Sequence, residues 1–204
     1  MVLEVQEQRS TGWFAALPCC SSCHLRKQGC SGSGDYVVQH EKRVLVLGKS
    51  QSGKSRMLAC LNGSGSGIPA DKSSYVPTHG TAVSRVVLPP VGVTLIEVGG
   101  TLREFWHRSI DSKLNGIWYL VDDVELSSGD FSVLTGFLTA AREALSTRRL
   151  PILISASSSV MPGLVAAVTE TGVSGERVIF SQISLSDRST LTASLDMLKL
   201  KLIQ

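Results

Sequence analysis

The stretch that most constrains this 204-residue chain is Arg43-Val44-Leu45-Val46-Leu47-Gly48-Lys49-Ser50-Gln51-Ser52-Gly53-Lys54-Ser55. It begins as a β-branched, apolar run that reads as a buried strand. It breaks at Gly48 and resumes at Lys54 with a helical pattern through Met57, Leu58 and Leu61. The segment between fits G-x-x-x-x-G-K-[ST], the phosphate-binding loop. Gly48 and Gly53 let the backbone turn tightly and approach an anion with no Cβ in the way. Successive N–H groups, including those of Gln51 and Ser52, then converge at the positive end of the following helix. In such a loop Lys54 lies across the β- and γ-phosphates, and Ser55 offers its hydroxyl to Mg²⁺.

A phosphate loop flanked by a strand and a helix implies an α/β architecture, and the rest of the chain agrees. Ala82–Leu88 and Gly92–Val98 read as a hairpin around Pro89-Pro90-Val91. Gly116–Asp122, Leu150–Ile154 and Val178–Phe180 read as short buried strands. Helical periodicity is loose over 102–114, clear over Phe131–Leu145, weak over 164–171 and clear again over 191–202. Strands alternating with helices predict three layers: a mostly parallel sheet of about six strands, one antiparallel edge, and helices on both faces.

Residues 1–40 read as a flexible extension, and 41–204 as the folded domain. Ser31-Gly32-Ser33-Gly34 is linker-like. Of five cysteines, Cys19, Cys20, Cys23 and Cys30 fall in the extension. Three readings of it stand side by side. It is a plain tail, or an S-acylated anchor in which Trp13 and Phe14 enter a bilayer beside Cys19 and Cys20, or a zinc site that adds His24. We expect neither a signal peptide nor N-myristoylation, since Val2 follows Met1. No apolar run approaches the roughly 20 residues of a membrane span. The expected location is cytoplasmic, with peripheral membrane contact if the acylation reading holds. A net charge of +3, with no long basic run, argues against a nucleic-acid partner.

Further residues fall in the order a nucleotide switch needs. Thr78 could give a second hydroxyl to Mg²⁺. Glu97 could hold a Mg²⁺-bound water. Gly100, lacking a side chain, could present its N–H to a γ-phosphate. Two loops would then be ordered by that phosphate and released on its loss. Pro77-Thr78-x-Gly80, Glu97-Val98-Gly99-Gly100 with Trp106, Gly116-Ile117-Trp118-Tyr119-Leu120-Val121-Asp122, and the frame from Leu150 to Gly163 resemble the Arf/Arf-like family of small GTPases. The Arf-like 16 subfamily is the closest, since its switch 2 also carries Glu before Gly-Gly. The resemblance covers about residues 41–204. It implies GTP and Mg²⁺ as ligands, effectors reading Arg85–Ile96 and Thr101–Ile110, and a role in membrane or ciliary trafficking.

The chain departs from that family at three places. In the guanine motif N-K-x-D, Ser157, Ser158 and Val160 replace Asn, Lys and Asp. In the family the Asp accepts two N–H bonds from guanine, each worth about 1.5–3 kcal/mol. Their loss removes roughly 3–6 kcal/mol, about a hundred- to ten-thousand-fold in affinity, so GTP and ATP should be poorly distinguished. Thr101 stands where the family has its catalytic Gln and is too short to position a water, so hydrolysis should be slow or absent. The second guanine loop reads Ser184-Leu185-Ser186, a half-match through Ser184. Two alternatives remain: a pseudo-GTPase interaction scaffold, and, more distantly, a P-loop kinase or ATPase with Arg142, Arg148 or Arg149 as lid arginines.

Overall fold

The computed structural model describes residues 41–63, 78–88, 91–157 and 162–203. The extension with its cysteines, the Gly/Ser-rich loop after Gly63, Pro77, and Ser158 and Val160 of the altered guanine motif lie outside the described residues.

Six strands form one sheet in the order β2-β3-β1-β4-β5-β6. They are β1 (Glu41–Leu47), β2 (Thr81–Leu88), β3 (Val91–Val98), β4 (Leu114–Leu120), β5 (Ile152–Ala156) and β6 (Val178–Gln182). Among the described residues only the β2–β3 pair is antiparallel, and the other four pairings are parallel. The expected three-layer architecture with a single antiparallel edge is therefore what the chain adopts.

The helices are α1 (Lys54–Leu61), α2 (Asp123–Ser128), α3 (Ser132–Arg148), α4 (Pro162–Glu170) and α5 (Arg188–Ile203). Where β1 is buried on both faces, from Val44 to Leu47, it is apolar at every position and does not alternate. Val44 and Val46 enter one core with Met57, Leu58 and Leu61 of α1 and Leu191, Leu195 and Leu198 of α5. Leu45 and Leu47 enter the other with Leu134, Phe137, Leu138 and Ala141 of α3 and Leu164 of α4.

Three elements differ from expectation. The segment after Gly99 is a ten-residue 3₁₀ helix, Gly100–Ser109, interrupted at Leu102, and Trp106 is its one buried residue. Its neighbour Phe105 is exposed beneath the Arg108 guanidinium, 5.1 Å from the ring centroid. A 3₁₀ turn places side chains three apart in line, so the α-helical period expected over 102–114 is not kept, although Leu102 and Ile110 still pack against the core. Second, α2 was not foreseen: Asp122, read as a strand end, caps it. Third, Arg148 donates to the carbonyls of Asp111, Ser112 and Leu114, bracing the loop into β4. It is thus engaged as a structural clamp and not as a lid arginine.

Candidate functional site

The phosphate loop connects β1 to α1. Gly48 has φ +147° and Gly53 φ +90°, and Gln51 also turns through the left-handed region at φ +66°. A Cβ on Gly48 would stand 2.6 Å from the Leu120 carbonyl oxygen, so both backbone freedom and space require glycine there. Lys54 follows at the start of α1, where its side chain folds back over the loop. Its Nζ donates to the carbonyls of Gly48 and Lys49, both at 2.8 Å. Burial lowers its pKa to about 8, against the opposing pull of the Glu97, Asp122 and Glu125 carboxylates.

Gly100 closes over the same loop. A Cβ there would meet Ser50 N at 2.2 Å and Lys49 C at 2.5 Å. Beside it, Gly99 N–H donates to Gly80 O at 2.9 Å, and a Cβ on Gly99 would stand 2.3 Å from Thr78 O. The Gly-Gly pair thus lets the Thr78 segment and the phosphate loop approach the end of β3 from either side. Trp106 anchors the far end of this junction. It is fully buried, donates Nε1–H to Gly99 O at 3.3 Å, and meets Tyr119 and Phe137 edge-on with centroids 6.0 Å away.

Ser55, Thr78 and Glu97 come together as one cluster. Ser55 donates its hydroxyl to Glu97 Oε1 at 2.8 Å, and Thr78 donates to the same oxygen at 3.1 Å. The two hydroxyl oxygens are 3.2 Å apart. Two hydroxyls and a carboxylate form a hard oxygen donor set, which fits Mg²⁺.

A cleft of about 230 Å³ extends from the loop, lined by Gln51, Ser52, Gly53, Arg56, Asp123, Ser157 and Leu185 among others. Ser157 stands on its wall and donates its hydroxyl to Asp123. Ser184 is placed differently. It is exposed beside the cleft, and its N–H donates to Thr190 Oγ1 at 3.0 Å. Its neighbour Leu185 reaches in instead, with Cδ1 2.3 Å from where a Cβ on Gly53 would stand. Thr101 is exposed at the start of the 3₁₀ helix.

One family model, that of the ADP-ribosylation factor family, matches residues 33–157, more than half of the chain. The chain belongs to the ADP-ribosylation factor family. A curated relative, ADP-ribosylation factor-like protein alp41 from Schizosaccharomyces pombe (strain 972 / ATCC 24843), is 32% identical over 94 residues. Those residues are 44% of this chain and 47% of alp41, so the match spans about half the length of that relative. The solved structure of the Arl6 BBS3 small GTPase from Trypanosoma brucei, with bound nucleotide analogue GppNp, covers 80% of this chain and 98% of its own. Its TM-score is 0.59 and its identity 18%, a likeness of fold.

Beneath the phosphate loop, this Arf-family chain has an ion pair between a partly exposed lysine and a buried carboxylate that sequence reading missed. Lys49, inside the loop, lies 3.4 Å from Oε1 of the fully buried Glu125. Tyr119 donates its hydroxyl to the same oxygen at 3.1 Å. Asp122 and Glu125 form a reciprocal capping box at the start of α2. Desolvation holds the Glu125 carboxyl above its usual range. Asp122-x-x-Glu125 is the signal that could have revealed the start of α2.

Proposed function

We propose that this chain is a divergent Arf-like nucleotide switch: it binds a nucleoside triphosphate with Mg²⁺, distinguishes GTP from ATP poorly, and hydrolyses it slowly or not at all. The observation that carries this reading is the assembly of the phosphate end: a turned loop, a buried Lys54, and Ser55, Thr78 and Glu97 within 3.2 Å of one another. Gly48, Gln51, Ser52 and Gly53 would present backbone N–H groups to the phosphates. Lys54 would neutralise charge on the β- and γ-oxygens, and Gly100 N–H would meet the γ-phosphate. Ser55, Thr78 and Glu97 would hold Mg²⁺, which supplies further charge neutralisation. Thr101, short and exposed, leaves no side chain to orient an attacking water.

The phosphate would tie the Thr78 segment to the 3₁₀ helix through Gly99 and Gly100, so its loss would release both. Effectors would read the edge strand β2, where Val83 and Arg85 are exposed, together with Thr101–Ile110. Membership of the Arf family supports a role in membrane or ciliary trafficking from the cytoplasm, with Trp13, Phe14, Cys19 and Cys20 as the membrane contact.

A second reading, a pseudo-GTPase scaffold, is favoured by one specific feature. Leu185 lies over Gly53, and Ser157 is already engaged with Asp123, both inside the cleft where a base would sit. Fluorescent GTP and ATP analogues titrated with and without Mg²⁺ separate the two. The switch reading expects binding of both that is strengthened by Mg²⁺ and lost in Lys54→Ala. Absence of binding below about millimolar concentration, about −4 kcal/mol, would leave the scaffold.

A further inference from the structure

Helix α5 is apolar on two faces. Leu191, Leu195, Leu198 and Leu202 enter the core. On the other side Met197, Leu200 and Ile203 are 38%, 67% and 58% exposed. A surface helix normally carries one apolar stripe with polar residues opposite. Scattered exposed apolar residues need no explanation, but these three share the outer side of the last two turns and form a patch. Helix propensity does not call for them either, since Lys, Glu and Gln serve an exposed helix position about as well as Leu or Met and better than Ile.

Charge is arranged symmetrically about the patch. At about 100° per residue, Met197 and Leu200 form a short seam, with Asp196 about 70° to one side of it and Lys201 about 70° to the other. These are the relations of heptad positions a (Met197), d (Leu200), g (Asp196) and e (Lys201), with the exposed Ala193 at the preceding d. In a parallel helix pair a g residue meets the e residue five positions later on its partner. Asp196 and Lys201 have opposite charge and that spacing. A two-fold axis parallel to α5 therefore sets Asp196 against the partner's Lys201 and Lys201 against the partner's Asp196 in one operation. An antiparallel pair would bring like flanks together, carboxylate against carboxylate and ammonium against ammonium. Within its own helix Asp196 has Lys199 at 4.0 Å, a contact that leaves the carboxylate 54% exposed. Lys201 is exposed.

We propose that the outer face of α5 is a self-association surface: it pairs in parallel with the same face of a second copy, Met197 and Leu200 filling the seam and two Asp196–Lys201 pairs flanking it. No α5 residue lines the cleft beside the phosphate loop, so the surface stands whether or not that cleft holds a nucleotide. A helix of 16 residues is about 24 Å long. One such pair buries less than the roughly 1,200 Å² of a stable interface, so the dimer is weak and forms with rising concentration.

The test is sedimentation velocity of the full chain under reducing conditions, at about 10–500 µM, the range in which so small an interface associates. The sedimentation coefficient should rise with concentration from monomer toward dimer. Leu200→Glu, at an exposed position, should melt like the wild type and stay monomeric. Asp196→Lys and Lys201→Asp each turn both flanking attractions into repulsions and should each weaken association at least about fivefold. The double variant Asp196→Lys/Lys201→Asp restores opposite charges and should return to within about twofold of the wild type. Added salt should shrink the effect of the single changes. The proposal is overturned if the chain is monomeric throughout, if Leu200→Glu associates like the wild type, or if the double variant associates no better than the single ones. It is equally overturned if the chain stays monomeric and phosphatidylcholine vesicles capture it through Leu200, which would make the patch a lipid contact.

Discussion

Replacing Gly100 with Ala tests whether the junction between the 3₁₀ helix and the phosphate loop is as close as the structure has it. A Cβ at Gly100 would stand 2.2 Å from Ser50 N, 2.5 Å from Lys49 C and 2.8 Å from Ser50 Cα. All three are backbone atoms, so no side chain can swing aside. Reaching an ordinary contact of 3.4 Å from 2.2 Å requires a displacement of about 1.2 Å. Overpacking of this kind costs about 1–3 kcal/mol. For a chain of this size, that lowers Tm by about 2–12 °C. The displaced group is the loop itself, so the N–H groups that follow Ser50, those of Gln51 and Ser52, would also leave their places. One lost hydrogen bond to a charged phosphate, about 1.5–3 kcal/mol, weakens triphosphate binding roughly 10- to 100-fold.

Gly136 supplies the contrast. It lies inside α3 with nothing within 4 Å of its would-be Cβ. Gly136→Ala should therefore stabilise by about 0.5–1 kcal/mol, through helix propensity, and leave binding unchanged. Differential scanning calorimetry and a fluorescent triphosphate titration on both variants decide the matter. If Gly100→Ala melts and binds like the wild type, the close approach of Gly100 to Ser50, and the argument built on it, are wrong.

Three further outcomes follow from the same geometry. The unfolded chain holds the Lys54 proton up to its ordinary value of 10.5, and the folded chain only to about 8; the unfolded state thus carries more protons in that window, stability of the nucleotide-free protein rises with pH across it, and Lys54→Met should flatten the slope in urea melts. Triphosphate affinity should run the other way, falling by up to about tenfold per pH unit above 8 as the ammonium is lost. Glu125→Ala leaves the buried Tyr119 hydroxyl without its acceptor, while the partly exposed Lys49 turns to solvent, and should cost about 1–3 kcal/mol in chemical denaturation. Because its folded pKa is raised, Glu125 contributes stability that is fully present below its ordinary value of 4.5 and lost as pH rises through the folded value; Glu125→Gln should abolish that loss. Trp106→Ala removes a fully buried indole, its bond to Gly99 O and two aromatic contacts, and should cost about 3–5 kcal/mol by calorimetry.

Sheet composition and order of elements were legible because buried strands are contiguous apolar runs and helices repeat at fixed spacing. The hairpin was legible from its two prolines. The 3₁₀ helix was not, since its residues also fit a loose α pattern and the packing of Trp106 against Tyr119 and Phe137 is visible only in the fold. Nor was Leu185: an apolar residue in a half-matched loop carries no local sign that it will cover Gly53. Lys49 reads as one more variable position of the phosphate loop, and nothing beside it in the chain points to Glu125 as its partner.

By itself the sequence determined that Gly48 to Ser55 turns around an anion-sized space between a strand and a helix, because every requirement of that turn lies within thirteen consecutive residues. It also determined that Ser157, Ser158 and Val160 stand where the resembled family has Asn, Lys and Asp, since a missing side chain needs no fold to be missed. Only the tertiary structure decided that Ser55, Thr78 and Glu97, separated by up to 42 residues, share a triangle 3 Å on a side. The sheet register fixes where Glu97 ends and the paired glycines fix how closely Thr78 can approach. Those distances are set by packing between segments, and no local pattern encodes them.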